Sequence, residues 1–192
     1  MIVIFIGPPG SGKSTQAKKV AKKLDVPSIS MGEVLRDASE TGTILGKKAE
    51  KYINKGKLIP SRLIRALTKF RLEESDCENG FVLDGSPRKV EEAVILDSYF
   101  KKKEWEISRV IVIEISRDES IRRLIERGGL PKSKGGGRED DEINDIKIRL
   151  REYQDNIDLI KSYYSEKDKL SVVDGNGSIE DVTRRVYSIL QL

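Results

Sequence analysis

Histidine is absent from the 192 residues, and cysteine occurs once, as Cys77. Without imidazole, any catalysis must rest on other groups. A single thiol excludes a disulfide framework and a multi-cysteine zinc site, so no structural zinc is expected, and it is in keeping with a reducing compartment. Long apolar runs are also missing. Met1 leads straight into the five-residue run Ile2–Ile6, too short for a signal-peptide core or a membrane span, so a cytoplasmic location and no membrane partner are expected. There is no internal repeat, and no low-complexity tract beyond Gly135–Gly137. Nor does one charge sign dominate: 36 Lys and Arg stand among 32 Asp and Glu, a net charge of +4. That is not a nucleic-acid-binding composition, but the small positive excess suits anionic small molecules. At this length one well-buried core is expected rather than two independent domains.

What is present centres on Gly7-Pro8-Pro9-Gly10-Ser11-Gly12-Lys13-Ser14. This fits G-x-x-x-x-G-K-[ST], the phosphate-binding loop. The apolar run before it reads as a strand buried on both faces. After it, Ala17, Val20, Ala21 and Leu24 recur at the spacing of a helical stripe. The loop therefore lies between a buried strand and a helix N-terminus, where its amides and the helix dipole face an anion. Gly7, Gly10 and Gly12 let the backbone curl close to phosphate oxygens. Lys13 adds a point charge toward the β- and γ-phosphates, and the Ser14 hydroxyl is placed for Mg²⁺.

Four more strands are expected: Pro27–Ser30, Phe81–Asp84, Val110–Ile115 and Leu170–Val173. Helical patterns separate them, so the chain reads as alternating β and α, a five-stranded parallel sheet covered by helices on both faces. Ser30 and Glu33 are spaced as a capping box. Ser61 is placed to cap a helix carrying Leu63, Ile64, Leu67 and Phe70. Ile143, Ile146, Leu150, Tyr153, Ile157, Ile160 and Tyr164 step by three and four, one long amphipathic helix. Ser178 and Asp181 open a C-terminal helix with Val182, Val186, Ile189 and Leu190 inward. Two segments break the alternation. Residues 31–59 show short helical patterns and several glycines, a small helical insert. Residues 128–137 have no apolar period and half their positions are glycine, a mobile loop flanked by Arg127 and Arg138.

Six arginines stand at informative places. Arg36 is in the insert, and Arg88 follows the end of the Phe81–Asp84 strand. Arg123 and Arg127 share one helix face before the glycine-rich loop. Arg138 follows that loop, and Arg149 comes one helical stretch later. Ligands bind outside strand C-termini in open α/β sheets. Guanidinium groups fork onto phosphate oxygens and stay charged, which is what a phosphoryl group in transfer requires. Asp84 ends a buried strand, where a carboxylate holds Mg²⁺ directly or through water.

Gly7–Thr15, Ile29–Arg36, Gly56–Ile59, Phe81–Arg88, Arg138–Asp141 and Val173–Gly175 together resemble adenylate kinases of the short-lid type, in order, across essentially the whole chain. The resemblance implies a P-loop kinase, a three-layer α/β/α sandwich in three parts. A core would hold residues 1–29, 60–126 and 142–192; a monophosphate-binding insert 30–59; a short lid 127–141. It implies ATP as co-substrate with Mg²⁺, AMP as acceptor and ADP as product, in a monomer with no nucleic-acid partner. ATP would be held by Gly10, Ser11, Gly12, Lys13, Ser14 and Thr15, with Arg123 near the adenine and Gly177 touching it through the backbone. Arg36 and Arg88 would hold the acceptor's phosphate, beside Gly85. Lys57, Leu58 and Ile59 would line its nucleoside. Arg127, Arg138 and Arg149 would clamp the transferring phosphoryl, making Lys13, Arg88 and these three the catalytic set.

The chain departs from that pattern at several points. Its lid is short and lacks the zinc ligands that many long-lid relatives carry. Met31 stands where a Thr usually meets the monophosphate, Ser86 replaces an aromatic, and Glu92 replaces the Gln that reads the adenine edge. These last three sit in the acceptor-base pocket. GMP, CMP or UMP therefore stay open as acceptors, and so does a non-catalytic ATP-binding protein on the same scaffold.

Overall fold

A computed structural model describes residues 1–40, 44–53, 60–129 and 143–192. In chain order the elements are β1 (Ile2–Ile6), α1 (Lys13–Leu24), β2 (Ser28–Ser30), α2 (Met31–Glu40), α3 (Ile44–Ile53) and α4 (Ser61–Leu72). There follow β3 (Phe81–Asp84), α5 (Val90–Lys102), β4 (Ile107–Glu114), α6 (Arg117–Gly128), α7 (Ile143–Ser165), β5 (Leu170–Asp174) and α8 (Ile179–Leu190). All pairings in the five-stranded sheet are parallel, in the order β2-β3-β1-β4-β5.

Alternation along each strand divides the core into two layers. Ile2, Ile4 and Ile6 of β1 join Phe81, Leu83, Val110 and Val112 on one face, under α4, α5 and α7. Val3 and Phe5 join Val82, Ile111 and Ile113 on the other, under α1 and α8. Because both faces are covered, the strands read as unbroken apolar runs. The expected three-layer α/β/α sandwich is what folds. At the C-terminal helix the capping box is complete: Ser178 accepts from the Asp181 amide, and Asp181 accepts from the Ser178 amide.

Three local expectations need correcting. β4 begins at Ile107, not Val110, and ends at Glu114. The polar Ser108 and Arg109 are held in the strand because the Ser108 hydroxyl accepts from the Ile2 amide and Arg109 donates to the Asp168 carbonyl. Pro60, not Ser61, occupies the cap position of α4; a proline just before a helix costs nothing, since that amide has no helical partner. Phe70 is 62 % exposed, and the buried stripe of α4 runs through Leu63 and Leu67 to Leu72 instead. On α2, Glu33 is engaged by Lys18 from α1 at 2.8 Å.

Cys77 packs in the larger core beside Arg71, whose guanidinium forks onto Asp76 at 2.8 and 2.7 Å and lies 3.2 Å from the Cys77 sulfur. Burial pushes the thiol up to about 11. The reactive species is the thiolate, so native Cys77 is inert at neutral pH. Native protein at pH 8 is expected to react with Ellman's reagent at least ~100-fold more slowly than the chain in guanidinium chloride. Equal rates would place the thiol at the surface.

Candidate active site

The strands end together at one edge of the sheet, and the phosphate loop leaves β1 at its centre. Gly10 (φ 81°) and Gly12 (φ 85°) take left-handed backbone, and Gly12 is the N-cap from which α1 starts. Gly7 has a different reason to be glycine than closeness to phosphate. A Cβ there would stand 2.6 Å from the Ile113 carbonyl of β4, so its role is to let the strand ends pack.

Lys13 is partly buried and donates to the Pro8 carbonyl at 3.2 Å. Its ammonium is lowered to about 8. Desolvation by burial is the main cause; Asp84 opposes it, and Arg88, Arg149 and Arg127 add to it. The fields of three guanidiniums thus converge on the loop lysine. They arrive from three places: the turn after β3, the last turn of α6, and the start of α7. Such a concentration of cations favours an entering anion.

Asp84 closes β3, next to β1, and is 2 % exposed. Its Oδ2 accepts from the Ser14 hydroxyl at 2.5 Å, while its Oδ1 is buried without a hydrogen-bond partner. An orphaned carboxylate oxygen beside a hydroxyl, at the mouth of a phosphate loop, fits Mg²⁺. No cluster of three or more His, Cys, Asp or Glu occurs among the described residues. The site therefore suits an ion held mainly by substrate phosphates and water, as Mg²⁺ is.

The remaining expected residues are placed as follows. The Arg88 amide donates to Glu92 Oε2 at 2.8 Å, and its Nε donates to the Gly85 carbonyl at 3.1 Å. Glu92 and Ser86 are each 6 % exposed, so Glu92 is turned into the protein and not into solvent. Met31 is 1 % exposed and its sulfur accepts from Thr68 at 3.3 Å; its side chain is taken up in the core between α2 and α4. Arg36 is exposed on α2, its guanidinium folded over Gly32. Arg123 donates to Glu119 at 2.6 Å and to the Gly175 carbonyl at 3.1 Å, which joins α6 to the turn after β5. Gly177 lies in that turn with φ 99°. Thr15 is exposed at the start of α1, and Ser11 is buried with no partner for its hydroxyl. Lys57, Leu58, Ile59 and Arg138 lie outside the described residues.

Two residues were not foreseen. Glu119 anchors Arg123 and Arg122, which together hold its carboxyl down at about 2; the i, i+4 spacing to Arg123 was a readable signal. Ser120, fully buried on α6, donates to the Pro9 carbonyl of the phosphate loop. Nothing in the sequence marks it.

A family model described as adenylate kinase matches residues 5–169. The chain belongs to the adenylate kinase family. It is 38 % identical to the adenylate kinase of Archaeoglobus fulgidus over 213 residues, covering all of this chain and 98 % of the relative. It is 39 % identical to that of Mycolicibacterium vanbaalenii over 190 residues, with 99 % of each chain covered. With adenylate kinase 1 of a Nostoc species the identity is 38 % over 188 residues, covering 98 % of this chain and 97 % of the relative. The first alignment is longer than this chain, so that relative carries residues this adenylate kinase family member lacks. Membership makes the protein a nucleoside monophosphate kinase.

Proposed function

We propose that the protein transfers the γ-phosphoryl of Mg·ATP to AMP in line and reversibly, giving two ADP. The observation that carries this is the Ser14–Asp84 pair at the mouth of the phosphate loop, with the second Asp84 oxygen buried and unpartnered, beside a loop lysine that feels the charges of Arg88, Arg149 and Arg127. An oxygen of the acceptor's α-phosphate attacks the γ-phosphorus. The bond from that phosphorus to the β,γ-bridging oxygen breaks, and its electron pair leaves with ADP. The acceptor phosphate is already a dianion at neutral pH, so no imidazole base is needed. Bound Mg²⁺, held through Ser14 and Asp84, would neutralise charge on the β- and γ-phosphates. The chain's own work is positioning and charge: loop amides and Lys13 on the triphosphate, Arg88 with Arg36 on the acceptor, and Arg127, Arg138 and Arg149 on the group in flight. Arg123 and the backbone at Gly177 would flank the ATP adenine.

The same reading divides the chain into a core (1–29, 60–126, 142–192), a monophosphate insert (30–59) and a short lid (127–141). Closure of the last two over the nucleotides would exclude water, which otherwise competes as acceptor. Residues 127–141 contain no Cys or His, which supports a lid without zinc. We read the protein as a cytoplasmic monomer; among the described residues no helix is long and apolar enough to cross a membrane.

Initial rates with ATP and each of AMP, GMP, CMP and UMP test the reading. AMP is expected to be used and UMP to be poorest. No ADP formation with any acceptor would leave only nucleotide binding. Glu92 makes the panel informative. One of its oxygens is committed to the Arg88 amide. The other offers an acceptor but no donor, which suits the N1–H and 2-amino edge of guanine or the cytosine amino group better than adenine N1. A mismatched polar edge is worth ~10- to 100-fold in selectivity. Glu92→Gln is therefore expected to raise the AMP:GMP ratio about tenfold. Unchanged ratios would show that Glu92 serves only the Arg88 turn.

A further inference from the structure

The phosphate loop contains two consecutive prolines, Pro8 and Pro9. Neither has an amide to offer an anion, yet each brings a carbonyl that would repel one. Both carbonyls are accounted for. That of Pro8 accepts from the Ser11 amide and from Lys13 Nζ, each at 3.2 Å. That of Pro9 accepts from Ser120 on α6. The Pro9–Gly10 peptide is trans, since among the described residues the cis bond is Ser86–Pro87. In a trans peptide C=O and N–H point opposite ways. Tying the Pro9 carbonyl to α6 therefore turns the Gly10 amide away from α6. That amide meets no acceptor among the described residues, so it is free for an anion.

The contact is close and built. Ser120 is 0 % exposed, and a Cβ on Gly10 would stand 3.0 Å from the Ser120 carbonyl and 3.1 Å from Leu124 Cγ. The crown of the loop thus rests directly on the helix that also carries Arg123 and Arg127.

We propose that Ser120 is a positioning residue: it holds the Pro9–Gly10 peptide so that the loop presents an amide, not a carbonyl, to the entering triphosphate. Without its hydroxyl, the peptide turns freely and only part of the population receives phosphate, so apparent affinity falls by that fraction. The inference rests on reading the loop as the ATP phosphate site.

The test uses full-length protein and three variants, Ser120→Ala, Ser120→Cys and Ser120→Thr. Ser120→Ala is expected to raise KM for ATP, and Kd for inorganic tripolyphosphate, about tenfold, the scale of one hydrogen bond to a buried carbonyl. KM for AMP stays within twofold. Ser120→Cys, with a weak donor, falls between wild type and alanine, and Ser120→Thr, which keeps the hydroxyl, restores binding in proportion to its folded fraction. A merely structural role would lower the melting temperature and move both KM values together. Ser120→Ala with wild-type tripolyphosphate binding overturns the inference. Failure of wild type itself to bind tripolyphosphate overturns the phosphate-loop reading instead. A measurement on wild type alone stands even if the variants fold poorly. The Pro9 carbonyl ¹³C resonance should lie at a hydrogen-bonded position, and the Gly10 amide should shift on adding tripolyphosphate. A Gly10 amide that does not respond, while the other loop amides do, also overturns the proposal.

Discussion

Lys13→Ala is expected to lower kcat/KM at least ~100-fold while leaving the fold intact, because it removes a preorganised charge from the β- and γ-phosphates. The fold survives because, among the described residues, the ammonium's hydrogen bond goes to a carbonyl of its own loop, which also receives the Ser11 amide. The pH profile identifies the group independently. In the free protein Lys13 is lowered to about 8, chiefly by burial. Polyphosphate anions raise that value in the complex. Above about 8 the free enzyme must take up a proton to bind ATP, and affinity falls by up to tenfold per pH unit. Below it no such uptake is required. Wild-type kcat/KM should therefore show an alkaline limb near 8 that kcat, which follows the bound state, does not share. Lys13→Ala should lack the limb. Near-normal kinetics in the variant, or a limb that persists, would remove Lys13 from the chemistry.

How far the site could be read in advance follows from what kind of signal each part carries. The strands through Ile2–Ile6 and Phe81–Asp84 are buried on both faces, so their composition alone announced them. The loop residues are fixed by local backbone demands and keep a local signature. Asp84 was legible because it ends such a strand beside the loop strand. Tertiary context decided the rest. Ser108 and Arg109 look unlike strand residues, yet Arg109 pairs with Val3 of β1 and the Ser108 hydroxyl accepts from the Ile2 amide, which draws both into β4. Phe70 fits the α4 stripe, but α4 turns it to solvent. Ser120 gives no sequence signal, since a buried serine is recognisable only when its partner, the carbonyl of a residue over a hundred positions away, is in place. That the Arg88 amide claims one Glu92 oxygen likewise has no sequence signal, because it depends on the fold of the turn after β3.

Asp84→Asn is expected to lower kcat/KM ~100-fold or more and to raise the Mg²⁺ concentration needed for half-maximal rate, the scale lost when one charged group of a phosphoryl-transfer site is removed. The substitution keeps shape. An amide oxygen can still accept from Ser14, whose hydroxyl lies 2.5 Å from Oδ2. What changes is the other position. Oδ1 is buried and unpartnered; an NH₂ there presents donors where a cation needs an acceptor. The loss should therefore fall on cation affinity and rate rather than on the melting temperature, since asparagine keeps the shape and the bond from Ser14. A second consequence follows from the sign of the charge. Asp84 raises the Lys13 value against burial and the three arginines. With its charge removed, Lys13 falls further below its present position near 8, and more of it is neutral at pH 7.5. The alkaline limb of kcat/KM should move to lower pH. Asp84→Asn thus predicts two shifts that a simple loss of packing produces neither of: a higher Mg²⁺ requirement and an acid-shifted limb. Wild-type Mg²⁺ dependence together with an unmoved limb would leave Asp84 as a strand-end residue that caps Ser14 and nothing more.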